Sequence, residues 1–380
     1  MNLNVVELTK DLVSYKSNSL DSNVPVTRRT ATILRSLGFK VEELKYTDAN
    51  GVNKISIVGK LGRGKGGLSL MSHDDTVPAA KEDGWVGDPF VARIAGGKLF
   101  ARGSSDMKGP LAASISAASH FKAADLKAPL YIVVTADEEV SALGAKDVTA
   151  RSKLFAEASS GYGVICEPTR LKVVHAHKGG LSVQVTSKGR SAHTSSLKGL
   201  NANLKMIPFL QEMTRLNELV LTARRFSNDE FGPPRSELTI SINDHNIALN
   251  VSPDRSICRL SYRNMHGVDE TEILQRIRAS AKKYGLKFEL KSNSEGVYTP
   301  RDSPLVKTSL KLTGKRRPTT VAYGTDGIAY VKKMKKLVVI GPGDIAQAHT
   351  VDEWIELDQL HKGVDLYKRF IERVCVQNLP

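Results

Sequence analysis

Cysteine is scarce in this chain of 380 residues: Cys166, Cys258 and Cys375 are odd in number, far apart and without C-x-x-C spacing. That excludes a disulfide framework and a thiolate zinc site, and it fits a reducing compartment. Long apolar runs are missing too. The longest, PLYIVVTA (129–136) and KLVVIGPG (336–343), fall well short of the roughly 20 residues that a membrane-spanning helix needs. The opening MNLNVVELTKDLVSYK carries Glu7 and Asp11 where a signal peptide would have its apolar core, so a cytoplasmic protein is expected. Apolar residues make up 41% and charged residues 25%, a balance that excludes disorder and fibrous folds.

Acidic residues are outnumbered, 40 against 55 Lys and Arg, a formal charge of +15. The basic runs are Lys315-Arg316-Arg317 and the cluster of Lys332, Lys333, Lys335 and Lys336. They are short and no aromatic residues interleave with them. They therefore read as solvated faces or a lure for anionic substrates, and no nucleic-acid partner is expected.

The length suggests two domains. Helical patterns at 3–15 and 24–37, the second closed by Gly38, precede strand-like runs at 39–44, 54–61, 68–73, 129–136 and 162–167. A hairpin is expected around Gly96-Gly97 and a small-residue helix at 108–121. From 173 the texture changes to hairpin-rich strands with helices near 200–221 and 269–283; α/β texture resumes after 290 and ends in a helix from about 352. The expected fold is α/β, a mixed sheet with helices on both faces spanning 1–172 plus 290–380. An α+β domain, 173–289, is inserted into it.

Chemistry-bearing residues fall at the ends of these elements. His73 and Asp75 close a strand, and their spacing lets Asp75 fix the tautomer of His73. Asp106 stands before the small-residue helix, Glu138 and Glu139 follow one strand, Glu167 follows the next, and His349 comes after a Gly-Pro-Gly loop. Strand ends are where α/β sheets place ligand-binding groups. Taken singly, each carboxylate reads more readily as a helix cap or a surface charge than as a ligand. Together, imidazole and carboxylate donors without thiolate make the ligand set of a two-metal site, suited to Zn²⁺ with Co²⁺ or Mn²⁺ as substitutes. One carboxylate beyond those needed for coordination would serve as general base.

The strings HDDTVP (73–78), SSDMKGPLAA (104–113), TADEEVSALGA (135–145), CEPTRL (166–171), AHKGG (176–180), GRSAHTS (189–195) and AHTVDEW (348–354) resemble successive motifs of the co-catalytic zinc aminoacylase and carboxypeptidase family. That family includes acetylornithine deacetylases, succinyl-diaminopimelate desuccinylases, aminoacylases and glutamate carboxypeptidases, and the motif combination is most similar to the first of these.

The resemblance implies that Asp106, on a cis peptide to Met107, bridges two metal ions. His73 and Glu167 would complete one, Glu139 and His349 the other. Glu138 would be the general base and Asp75 would orient His73. It further implies a homodimer built on the inserted domain, with His193 reaching the partner's site to stabilise an oxyanion. Arg263 would hold the substrate carboxylate, and Asn250, Gly324 and Thr325 would lie on the substrate side. The substrate would be an N-acyl amino acid or short peptide with a free carboxylate. A catalytically silent binding protein would be expected to lack a ligand or the base, and all six are present. Cys166 replaces the usual glycine before the E-P-T motif and reads as inert, Asp74 adds a charge beside His73, and His120 reads as a core residue.

Overall fold

The computed structural model describes residues 2–246 and 248–378. In chain order the elements are α1 (Val5–Val13), α2 (Val24–Ser36), β1 (Lys40–Thr47), β2 (Asn53–Leu61), β3 (Leu68–His73), β4 (Arg93–Ala95), β5 (Lys98–Phe100), α3 (Lys108–Ala118), β6 (Leu130–Thr135), α4 (Leu143–Arg151), α5 (Lys153–Ala158), β7 (Tyr162–Ile165) and β8 (Val174–His177). There follow β9 (Gly180–Lys188), α6 (Ala202–Thr222), β10 (Leu238–Asn243), β11 (Arg255–Tyr262), α7 (Thr271–Lys283) and β12 (Lys287–Ser294). The last are α8 (Pro304–Thr313), β13 (Thr319–Val321), α9 (Gly327–Tyr330), β14 (Leu337–Val339), β15 (Trp354–Glu356) and α10 (Leu357–Ile371).

Two compact units form, one of 1–176, 297–319 and 325–380, the other of 177–296 and 320–324. The change expected at residue 173 falls four residues later because β8 still belongs to the large sheet, where Val174 pairs with Val339.

The large sheet has the order β1-β2-β6-β3-β7-β14-β8-β13. Strands β6, β3, β7 and β14 run parallel, so their carboxyl ends share one edge. Every residue of β3 and β6 is buried, the near-continuous apolar run expected of strands covered on both faces. On one face, α1, α2, α3, α8 and α10 share a core with Ile57, Leu70, Ile132 and Val338. On the other, α4 comes so close that a Cβ on Gly144 would lie 2.4 Å from the carbonyl oxygen of Ala136 and 2.8 Å from Ser56 Oγ, which makes glycine obligatory there.

A small sheet, β15-β5-β4, begins the last segment as a strand rather than as the expected helix, which starts only at Leu357. His120 corrects another expectation. Helix α3 ends at Ala118, and His120 is exposed just beyond it rather than in the core.

The second unit is an antiparallel sheet of order β10-β11-β9-β12 with α6 and α7 packed on it. Alternation is clean in β11: Ser256, Cys258, Leu260 and Tyr262 are buried while Arg255 and Arg259 are exposed.

Candidate metal centre

Strand register brings the candidate ligands together. His73, the last residue of β3, lies opposite Thr135, and Met71 lies opposite Ile165, which puts Glu167 level with His73. Two residues after Thr135 the chain reverses at Asp137, presenting Glu138 and Glu139 at the same edge. Asp106 comes from the loop before α3, which lies so close to the first turn of that helix that a Cβ on Gly109 would strike the Ser104 carbonyl at 2.1 Å. The Asp106–Met107 peptide is cis.

Donor atoms of His73, Asp106 and Glu167 all lie within 4.8 Å of one another, and so do those of Asp106, Glu139 and His349. His73 Nε2 is 3.1 Å from Asp106 Oδ1 and 3.9 Å from Glu167. His349 Nε2 is 2.8 Å from Glu139 Oε2 and 3.6 Å from Asp106 Oδ2. Asp106 thus turns one oxygen to each cluster. His73 Nδ1 donates to the Asp75 carbonyl at 3.0 Å, with the Asp75 carboxylate at 3.5 Å. That fixes the tautomer and leaves the Nε2 lone pair for coordination.

The Asp75 carboxylate has further partners. It accepts from Ser19 Oγ at 2.6 Å and from the backbone N–H groups of Glu138 and Glu139 at 3.2 and 3.3 Å. Asp75 therefore ties the His73 strand to the glutamate pair.

Crowded carboxylates withdrawn from water repel one another. Desolvation, then Glu167 and other nearby carboxylates, push Glu138 well above the usual range; desolvation, then Asp106, does the same to Glu167. Burial disfavours a charged His73, but hydrogen bonds to Asp106 and Asp75 outweigh it and raise its pKa. The hydrogen bond to Glu139 raises His349. Glu139 Oε1 is buried without a hydrogen-bond partner. Two divalent cations fit this donor set: they would offset the repulsion and use the orphaned oxygen.

Glu353, which the sequence reading passed over, organises the loop. Buried, it accepts from Arg102 at 2.8 Å and from the N–H groups of Gly103, Ser105 and Asp106 at 2.9, 2.8 and 2.9 Å. Pairing of β15 with β5 brings it there. Asp74 turns away from the cluster to Asn23 and Thr27. Cys166 is buried, its thiol pushed up to about 12 by desolvation.

Four of the remaining candidates fall in the second unit and one in the first. In the second unit, His193 and Asn250 are exposed neighbours, the Asn250 carbonyl accepting from Thr194 at 2.9 Å. Arg263 lies in the same unit beside Gly324, whose built Cβ would be 3.5 Å from its Nη1. Thr325, in the first unit, is buried and accepts from the Gly327 N–H at 3.0 Å. No described helix is long and apolar enough to cross a membrane.

The model of Peptidase family M20/M25/M40 matches residues 69–373. An acetylornithine deacetylase of Myxococcus xanthus is 32% identical, over 96% of each chain. An M20 family metallo-carboxypeptidase from Sulfolobus solfataricus superposes with TM-score 0.75 at 16% identity, over 97% of this chain and 99% of that one. The YXEP protein of Bacillus subtilis, described as a dinuclear metal binding peptidase from the M20 family, superposes with TM-score 0.66 at 13% identity, over 96% of each. The chain belongs to Peptidase family M20/M25/M40. It is a metallohydrolase acting on amide bonds.

Proposed function

We propose that this M20 metallohydrolase deacylates an N-acyl amino acid with a free carboxylate, as an acetylornithine deacetylase does, and so serves arginine biosynthesis in the cytoplasm. The observation that carries the site is the pair of donor clusters sharing Asp106, with Glu138 next in sequence to Glu139 of the second cluster. His73, Asp106 and Glu167 would hold one ion, Asp106, Glu139 and His349 the other, zinc first and cobalt or manganese as substitutes. Ions held there would supply Lewis acidity toward the amide carbonyl and toward water.

Glu138 takes a proton from the attacking water and passes it to the leaving amine. Desolvation raises this carboxyl above the ordinary range, which makes it a better proton acceptor than a solvated carboxylate. Asp75 holds the His73 tautomer and the Glu138 backbone together. The unit of 1–176, 297–319 and 325–380 is the catalytic domain, and that of 177–296 and 320–324 is the dimerisation domain of a homodimer. His193 of one protomer stabilises the oxyanion in its partner, and Arg263 grips the substrate carboxylate, a fork-to-carboxylate geometry that arginine suits. Asn250, Gly324 and Thr325 line the substrate side. The +15 charge favours an anionic substrate.

The test is amine release from N-acetyl and N-succinyl amino acids and dipeptides, with and without Zn²⁺ or Co²⁺, beside Glu138→Gln. Metal-dependent turnover, best with an N-acetyl amino acid and lowered about 10²- to 10⁴-fold in the variant, is expected. Undiminished turnover in Glu138→Gln would remove Glu138 from the mechanism, and preference for dipeptides would overturn the deacylase assignment.

A further inference from the structure

Lys54, near the start of β2, is 1% exposed, a rare state for lysine. Its ammonium lies 2.9 Å from Asp137 Oδ1 and donates to the carbonyls of Ser19 at 2.9 Å and Asp21 at 2.6 Å. The two carbonyls take up two of its protons, and the Asp137 oxygen, which accepts no hydrogen bond, is held by charge. The other Asp137 oxygen accepts from the Tyr46 hydroxyl at 2.8 Å. Desolvation, then the Asp137 charge, raises the Tyr46 phenol and keeps it a donor.

Asp137 stands at φ 63°, a left-handed conformation that residues other than glycine rarely adopt. Its carbonyl accepts from the N–H groups of Ser141 at 3.0 Å and Ala142 at 2.7 Å, closing the turn that begins the β6–α4 loop. Glu138 and Glu139 follow directly, with their own N–H groups bonded to Asp75. The chain reversal is therefore gripped from two sides. Asp75 holds its backbone, and Lys54 with Tyr46 holds the side chain at its root.

A buried ion pair is a poor source of stability, because two charges must leave water to make it. A methionine at position 54 would fill the space without that cost. Such strained, charge-clamped turns persist where the surrounding structure over-determines them, and they cluster at functional sites.

We propose that Lys54 and Tyr46 are positioning residues for proton transfer: by clamping the side chain of Asp137 they hold the reversal after β6 at the setting that aims the Glu138 carboxyl. This rests on the assignment of Glu138 given above. Neither residue belongs to the two donor clusters, and on this proposal the clamp acts on the rate of the chemical step and leaves substrate affinity alone.

The experiment measures kcat and KM separately on metal-loaded enzyme. The double variant Lys54→Met with Asp137→Asn removes both charges together and so leaves no buried ion unpaired. Its kcat is expected to fall about 10- to 100-fold, the loss that accompanies misplacement of a catalytic group by about 1 Å. KM should stay within about threefold, with metal content and ellipticity unchanged. Tyr46→Phe should lower kcat in the same direction by less. A folded, metal-loaded double variant with wild-type kcat would overturn the clamp. Should the double variant fail to fold, Tyr46→Phe decides, because it removes one oxygen from a half-buried ring, and an unchanged kcat there would overturn the clamp as well. Glu138→Gln is assayed alongside. Full activity in that variant would remove the assignment of Glu138, whereas an inactive Glu138→Gln beside fully active clamp variants would remove the clamp alone.

Discussion

In the first unit the charged side chains around the candidate centre are withdrawn from water and held by fixed partners, as Glu353 is by Arg102 and three backbone N–H groups. In the second unit they pair at the surface. Arg224 and Asp229 stand 2.7 Å apart with 71% and 70% of their side chains exposed, and Arg225 reaches Glu272 at 2.9 Å. An exposed pair contributes little because water screens it and two long side chains must be ordered. A buried group costs desolvation and is retained where its geometry matters. Charge in the first unit is therefore arranged for position, and in the second mainly for solvation.

The largest effect that would break this contrast is at Glu353. Glu353→Ala strands a buried guanidinium and three N–H groups, so unfolding by urea should show a loss of about 3–5 kcal/mol. A loss below about 1 kcal/mol would mean that the first unit tolerates unpaired charge as the surface of the second does.

His193 tests whether the second unit takes part in the chemistry at all. His193→Ala should lower kcat about 10²- to 10³-fold with metal content unchanged. Wild-type kcat, or a stable monomer by light scattering, would confine the chemistry to the first unit. Arg263→Lys should be milder, raising KM by about tenfold through loss of the two-pronged grip on a carboxylate, with kcat little changed.

The effects of pH have opposite signs in the two units, and those of the second unit are the smallest. Desolvation pushes Asp74 and Asp326 up to about 7, so between the ordinary carboxylate range and that value the folded state holds protons the unfolded state has released. Their contribution therefore falls as pH rises from 4 to 7. Arg225 lowers Glu272 to about 2, and Lys283 does the same to Glu212. These carboxylates contribute above the ordinary range and lose that contribution as pH falls toward 2. Both are about a third exposed, so each should be worth only about 0.5 kcal/mol, less in high salt. Trp85 and Trp354, the chain's two tryptophans, both lie in the first unit. Tryptophan fluorescence of metal-free protein should then show a melting temperature that falls from pH 4 to 7. A rise would reverse the sign assigned to the buried aspartates. Glu272→Gln, followed by ellipticity, should erase part of the acid sensitivity, and an unchanged acid profile would remove that pair from the account.

Much of the candidate centre was legible because its residues end strongly patterned segments. His73, Glu138, Glu139 and Glu167 each follow an apolar run, and parallel strands have to gather such ends at one edge. Glu353 was not legible: it serves a loop 250 residues away, through a short strand where the pattern suggested helix. Lys54 and Tyr46 were hidden differently. On a strand, a lysine and a tyrosine read as ordinary solvent-facing residues, and Asp137 was lost in the acidic run it begins. His120 misled because the apolar pattern of α3 ran past the helix end.

What the sequence determined by itself was local: the apolar periods, the element ends and the kinds of donor placed there. Those follow from side-chain chemistry over a few residues. Tertiary structure alone decided which carboxylate pairs with which cation, which oxygen of Asp106 faces which histidine, and that Asp75 and Asp137 grip one turn from two sides. Such choices depend on strand register and on contacts between segments far apart in the chain, and burial makes them stringent, since a charge removed from water tolerates few partners.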